Sequence, residues 1–208
     1  MPLQNRIRPD GTIVADPARG TFMGNRGGRL HLDDRTLGPR RWASRRWICC
    51  RLDFKGRRRT VMGPGYTELF FLDEVTALAA GHRPCFECRR EDANAFAALF
   101  GVAMGLGRPA RADEMDDRLH RERVAPKTTP LSTVASLPDG AMFRLGHSFV
   151  AKRGDRLAAW SCAGYSPVHP SAGEMAAPVE VLTPPSIVAV LARGYRPAFH
   201  ESFALRVG

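Results

Sequence analysis

Cys85-Phe86-Glu87-Cys88 is the most chemically loaded stretch of the sequence. Two thiols separated by two residues can point inward from one tight turn and share a metal ion, or they can close reversibly as a redox pair. The chain has five cysteines. That odd number, with no charged start and apolar run of a leader at the N-terminus, predicts metal or redox chemistry in a reduced, cytoplasmic setting rather than a disulfide framework. Cys49 and Cys50 are adjacent, and Cys162 has no partner by spacing and reads as a core thiol.

The second chemical feature is charge. The formal net charge is +10, and most of it sits between Arg35 and Arg59, where nine arginines and Lys55 face a single acid, Asp53, for a net of +9. Arginines and lysines gathered in this way neutralise backbone phosphates and release condensed counterions, so the expected partner is DNA, with RNA compatible with the same chemistry. The residues expected to make those contacts are Arg40, Arg41, Arg45, Arg46, Lys55, Arg57, Arg58 and Arg59, with Trp42 and Trp47 interleaved for stacking or packing. A third feature is Asp113, Asp117 and His120, which fall on adjoining positions of a charged helix and would hold Mg²⁺ and activate water in a metal-dependent endonuclease. Set against that, Glu114 with Arg118 and Asp117 with Arg121 read as ordinary surface pairs four residues apart, with Met115 and Leu119 turned inward.

The elements that must position these residues follow from periodicity and punctuation. Thr12-Ile13-Val14 predicts a short strand, and Thr21 to His31, broken by Gly-Asn and Gly-Gly, predicts a hairpin ending at His31. From Trp47 to Phe54 the chain alternates, placing Ile48, Cys50, Leu52 and Phe54 on one face and Trp47, Cys49, Arg51 and Asp53 on the other. Another strand is expected at Glu68–Phe71. Asp73 then caps a helix through Ala80, with Gly81 in the left-handed position and Pro84 as a stop. Helices are predicted from Glu91 to Met104 and from Ala112 to Val124, with a linker between them and a loop after them to Pro130. Strands with a turn at Arg153-Gly154-Asp155 fill Ala141 to Cys162. Residues 164 to 178 read as loop, Val179–Leu182 as a strand, and a last helix is capped by Thr183 and ends at Gly194. No segment reaches the roughly 18 apolar residues of a membrane span.

The run Ala77-Leu78-Ala79-Ala80-Gly81-His82-Arg83-Pro84-Cys85-Phe86-Glu87-Cys88 resembles the second half of the metal-binding domain of Ada-type DNA-alkylation response proteins. There an Ala-rich helix, Gly, an aromatic residue, Arg-Pro and C-x-x-C recur in that order. Phe22-Met23-Gly24-Asn25, with His31 beyond it, resembles the opening of related zinc modules, so the likeness covers roughly residues 21 to 90. It implies a structural Zn²⁺ on His31, a cysteine of the pair 49/50, Cys85 and Cys88, with His82 as the rival to His31. Strand alternation favours Cys50 over Cys49. The family places its second ligand close after the first, whereas here the arginine-rich stretch intervenes. In the family the first metal cysteine accepts a methyl group from a DNA phosphotriester. His31 stands at that position here, so methyl transfer is not expected unless Cys50 or Cys49 has taken the role.

The resulting expectation is an α+β chain with a treble-clef-like, Ada-like zinc domain over residues 1–105 and a smaller strand-rich α+β region over 106–208. Its expected role is zinc-stabilised DNA binding, weakly selective for sequence, in a DNA damage response. An endonuclease and a zinc-stapled protein-interaction adaptor are the alternatives.

Overall fold

The computed structural model describes residues 1–57, 60–125 and 131–206, the side chains of residues 131, 205 and 206 aside. It is an α+β structure with two six-stranded sheets. The first sheet contains β1 (Gln4–Ile7), β2 (Ile13–Ala15), β3 (Phe22–Asn25), β4 (Ile48–Arg51), β5 (Leu69–Phe71) and β6 (Arg83–Pro84), in the order β2-β1-β5-β3-β4-β6. Helix α1 (Glu74–Ala79) lies between β5 and β6, and α2 (Arg90–Ala103) and α3 (Ala112–Val124) follow. The second sheet contains β7 (Leu131–Ser132), β8 (Met142–Leu145), β9 (Ser148–Arg153), β10 (Arg156–Ser161), β11 (Gly164–Val168) and β12 (Val179–Val181), in the order β11-β10-β9-β8-β12-β7. Around it lie α4 (Ala172–Ala176), α5 (Pro185–Ala192) and α6 (Ser202–Arg206). None of the described helices is long and apolar enough to cross a membrane.

Helix α1 is the centre of the molecule. Asp73 caps it, its carboxylate accepting the Thr76 amide, and Gly81 ends it with φ of 80°. That left-handed conformation costs least at glycine. All six helical residues are buried, and each of the three apolar cores takes some of them. Leu78 joins Phe96, Phe100, Met115, Leu119, Phe143 and the apolar face of α5. Val75 and Ala79 pack with Phe149, Tyr165 and Phe203. Ala77 and Ala80 lie against Leu69, Phe71 and Cys49 of the first sheet. The small residues allow this close approach on every side, and that explains the Ala-rich composition. Residues from both sides of position 105 therefore share cores.

Polar contacts reinforce the junction. The Asp73 carboxylate also accepts the Tyr165 hydroxyl (2.9 Å) and the His200 amide (3.0 Å). Glu74 accepts the Tyr195 hydroxyl at 2.7 Å and the Ala198 amide at 3.0 Å, and it pairs with Arg89 at 2.8 Å. A buried carboxylate with this many donors is satisfied rather than strained.

Several expectations need correction. The hairpin ending at His31 does not form: β3 pairs antiparallel with β4 and β5, and the chain after Asn25 leaves the sheet. Arg26-Gly27-Gly28-Arg29 offers no apolar alternation, whereas β4 and β5 bring Ile48, Leu69 and Phe71 to pair beside it. Gly24 fits because a Cβ there would collide with the Ile48 carbonyl. Residues 164–178, read as loop, contain β11 and α4. Thr183 does not cap α5; its hydroxyl accepts the Met142 amide, and Pro184 takes the cap position. The expected loop to Pro130 falls on residues 126–130, outside the described residues.

Candidate metal centre

The thiols meet because β6 runs parallel to β4. Ile48 pairs with Arg83 and Cys49 with Pro84, so the next residue of each strand, Cys50 and Cys85, emerges at the same end of the pair. The Cys85 amide donates to the Cys49 carbonyl at 3.0 Å and the Arg89 amide to the Cys85 carbonyl at 3.0 Å. These bonds close the turn that returns Cys88 to Cys85, just before α2 begins. The sulfurs of Cys50, Cys85 and Cys88 lie within 4.8 Å of one another and form a group suited to a metal ion. A tetrahedral zinc with Zn–S bonds of about 2.3 Å sets its sulfurs about 3.8 Å apart, so the spacing fits. Three soft thiolates also suit zinc better than a hard cation.

Protonation follows from this crowding. Hydrogen bonds from Cys50 and then Cys88 lower the Cys85 thiol below its usual range. Cys50, donating to Cys85 and Cys88, is raised instead. Metal binding at such a group would release the thiol protons.

Cys49 is different. It is fully buried in the core beneath the sheet, and its sulfur meets the Arg89 guanidinium at 3.5 Å. Burial raises its thiol. The face that carries Cys50 is not a core face. Ile48, Cys50, Leu52 and Phe54 line an open cavity of about 530 Å³, with Cys85 and Cys88 in its wall and Tyr66 and Glu68 among the other lining residues. Strand alternation thus separates the two adjacent thiols, one to the core and one to the cavity.

His31 is not with the thiols. Its ring is buried, with Nδ1 2.7 Å from the Thr67 hydroxyl and Nε2 3.0 Å from the Gly63 carbonyl. Both nitrogens are occupied, and the ring fastens the 60–67 loop to the segment around Leu30. His82 is also elsewhere, enclosed by Trp47 and Phe71 at ring distances of 5.0 and 4.7 Å. Among the described residues, the group that could hold a metal is therefore these three cysteines, with neither histidine beside them.

Asp113, Asp117 and His120 lie on α3 as expected but do not converge on a cation site. Asp117 is held by Arg45 at 2.6 Å, Asp113 faces Arg111 at 3.5 Å, and His120 stacks edge-on against Trp42 at 5.9 Å. The surface pairs of this helix also differ from those expected, since Glu114 pairs with Arg108 and Arg118 with Glu122. Asp116 takes a structural task. It forms a two-pronged buried ion pair with Arg83 at 2.8 and 2.7 Å, which pins the strand leading into Cys85 to α3.

The basic segment divides into engaged and open residues. Arg45 is paired with Asp117, and Arg57 with Glu87 at 2.6 Å across the cavity rim. Arg41 donates to the Gly38 carbonyl at 2.6 Å. Arg40, Arg46 and Lys55 are exposed and, among the described residues, form no ion pair with a carboxylate. Arg58 and Arg59 lie outside the described residues. Reasoning from sequence did not single out Arg26, which is 2% exposed and, among the described residues, forms no ion pair with a carboxylate. A charged residue between Asn25 and Gly27 carries no pattern that marks it as interior.

No protein-family model, curated protein or solved structure matches the chain.

Proposed function

We propose that the chain is a zinc-thiolate protein that binds DNA through phosphate contacts. Cys50, Cys85 and Cys88 would hold one zinc, and the metal would fix the end of β4 and the turn before α2. The observation that carries this reading is the convergence of three cysteines from two separated segments on one point. The open cations Arg40, Arg46 and Lys55 flank the strand that carries Cys50, so a metal there would brace the basic segment for phosphate contact. On this reading residues 21–90 form an Ada-like unit of treble-clef type, and the role is in the response to damaged DNA in a reducing cytoplasm. All five cysteines are unpaired, in keeping with such a compartment.

Elemental analysis of freshly purified, reduced protein should give about one zinc per chain. A value near zero removes the reading. DNA affinity should then fall steeply with added salt. Metal retention without DNA affinity at low salt would leave the zinc-stapled adaptor.

The cavity supports a second reading. With three protein ligands, zinc keeps a fourth position, and Cys50 stands at the edge of open space. A zinc-bound thiolate is nucleophilic, so Cys50 Sγ could take a methyl group from a methyl phosphotriester. The S–C bond forms as the C–O bond breaks, and the phosphodiester anion leaves. Incubation with methylated DNA followed by peptide mass spectrometry should then show one added methylene on Cys50; an unmodified peptide excludes it.

A further inference from the structure

A second cavity, of about 370 Å³, lies on the far side of β4 from the thiol-lined one, between the first sheet, the end of α3 and β12. Its size is at the small end of ligand sites. Arg26, Arg41 and Arg123 all line it, and among the described residues none of the three has a carboxylate partner. Arg26 donates to the Gly11 carbonyl at 2.9 Å, the Arg41 carbonyl at 3.3 Å and the His82 ring at 3.3 Å. Arg123 donates to the carbonyls of Leu119, Arg45 and Asp116, and its Nη1 is buried with no partner among the described residues. The two guanidiniums also lie over the Trp47 ring, 3.8 and 4.2 Å from its centre.

Three acids share the lining, but each is turned elsewhere. Glu122 binds Arg118 and the Ser186 hydroxyl, Glu180 binds Arg144, and Asp10 accepts the Thr12 amide and hydroxyl. Two of those acids are thus neutralised by arginines outside the cavity, and positive charge is left in excess. Its cost is visible: burial and then the charges of Arg123 and Arg41 push the Arg26 guanidinium down to about 9. Burial likewise pushes Arg123 down to about 10. Like charges held together in a desolvated place need an anion to balance them. Arginine clusters recognise phosphate through paired N–H donors. Trp42, 43% exposed and braced by Trp47 and His120, offers a ring face at the same cavity.

We propose that this cavity binds the phosphate group of a phosphate ester, held by Arg123 and Arg41 in front of Arg26, with the organic part lying against Trp42. The site is independent of the metal. It would accept either a free mononucleotide-like ester or the terminal phosphate of a strand.

The test is calorimetric titration of the whole chain with inorganic phosphate, AMP and adenosine. Phosphate and AMP should bind and compete, with AMP the tighter, and adenosine should bind at least about tenfold more weakly than AMP. Arg123→Gln should weaken AMP by about tenfold or more. Arg41→Gln, on the exposed rim, should weaken it in the same direction without risk to the fold. Arg156→Gln, an exposed position of β10 outside this cavity, should leave affinity unchanged, and metal content should stay constant in all three variants. Displacement of AMP by a 5′-phosphorylated oligonucleotide but not by its unphosphorylated counterpart would support the site and identify a strand end as the source. Binding of AMP alone would support it with a free ester as the source. No binding of phosphate or AMP at millimolar concentration overturns the proposal. So does equal binding of AMP and adenosine, or equal weakening by Arg156→Gln and Arg123→Gln.

Discussion

Cys49 and Cys50 are neighbours in sequence, yet alternation along β4 gives them opposite surroundings. Cys50 joins the thiol group, while Cys49 is raised by burial and sits beside Arg89. Cys50→Ser and Cys85→Ser should each reduce metal content from about one ion per chain to near none. Cys49→Ser should retain the metal, and parallel elemental analyses decide between them. His82 makes a separate case at this scale. Its ring is wholly buried, and burial followed by the charge of Arg26 holds its pKa well below the usual 6.5. The unfolded chain takes up a proton at this histidine below about pH 6.5 and the folded chain does not, so stability is lost as pH falls through that value. The loss should reach about 1.4 kcal/mol per pH unit. Urea midpoints at about pH 7.5 and about pH 5.5 read this slope, and His82→Gln should flatten it.

Among the elements, β6 is only two residues long, yet it places the turn that carries Cys85 and Cys88. Its position depends on pairing with β4 and on the Arg83–Asp116 contact with α3, whose side chains are 6% and 5% exposed. Removing one partner leaves an unpaired buried charge. Arg83→Ala or Asp116→Ala should therefore cost about 3–5 kcal/mol by urea denaturation. Replacing both by apolar residues of similar volume should cost far less, because no stranded charge remains. Helix α2 was legible because acids open it and Phe96 and Phe100 recur at helical spacing. Helix α3 was legible to the residue, but its role was not. The same Asp and His residues that suggest a cation site on a helical wheel are drawn to Arg45, Arg111 and Trp42 once the neighbours are present.

For the whole molecule, α1 makes the two sheets mutually dependent. Its residues enter all three cores, and Asp73 and Glu74 reach Tyr165, Tyr195, Ala198 and His200 across more than ninety positions of sequence. Thermal unfolding followed by calorimetry should therefore show one cooperative transition, with calorimetric and van't Hoff enthalpies equal. Two separated transitions would show that the halves fold independently. Tyr195→Phe, which removes a hydrogen bond to a buried carboxylate still held by Arg89, should cost about 1.5–3 kcal/mol. That loss should lower the single transition rather than split it.

By itself the sequence determined what local rules control: the strand that alternates around Cys50, the capped Ala-rich helix, the left-handed Gly81 and the C-x-x-C turn. These depend on neighbours a few residues away, and they survive in the fold. Tertiary structure alone brought Cys50 to Cys85 and Cys88, because the parallel β4–β6 pairing joins segments more than thirty residues apart. It sent His31 to Thr67 and Gly63, split the arginines between ion pairs and open surface, and buried Arg26 against Trp47 with the half-buried Arg123 beside it. Burial and charge balance are properties of the assembled interior, and no spacing along the chain encodes them.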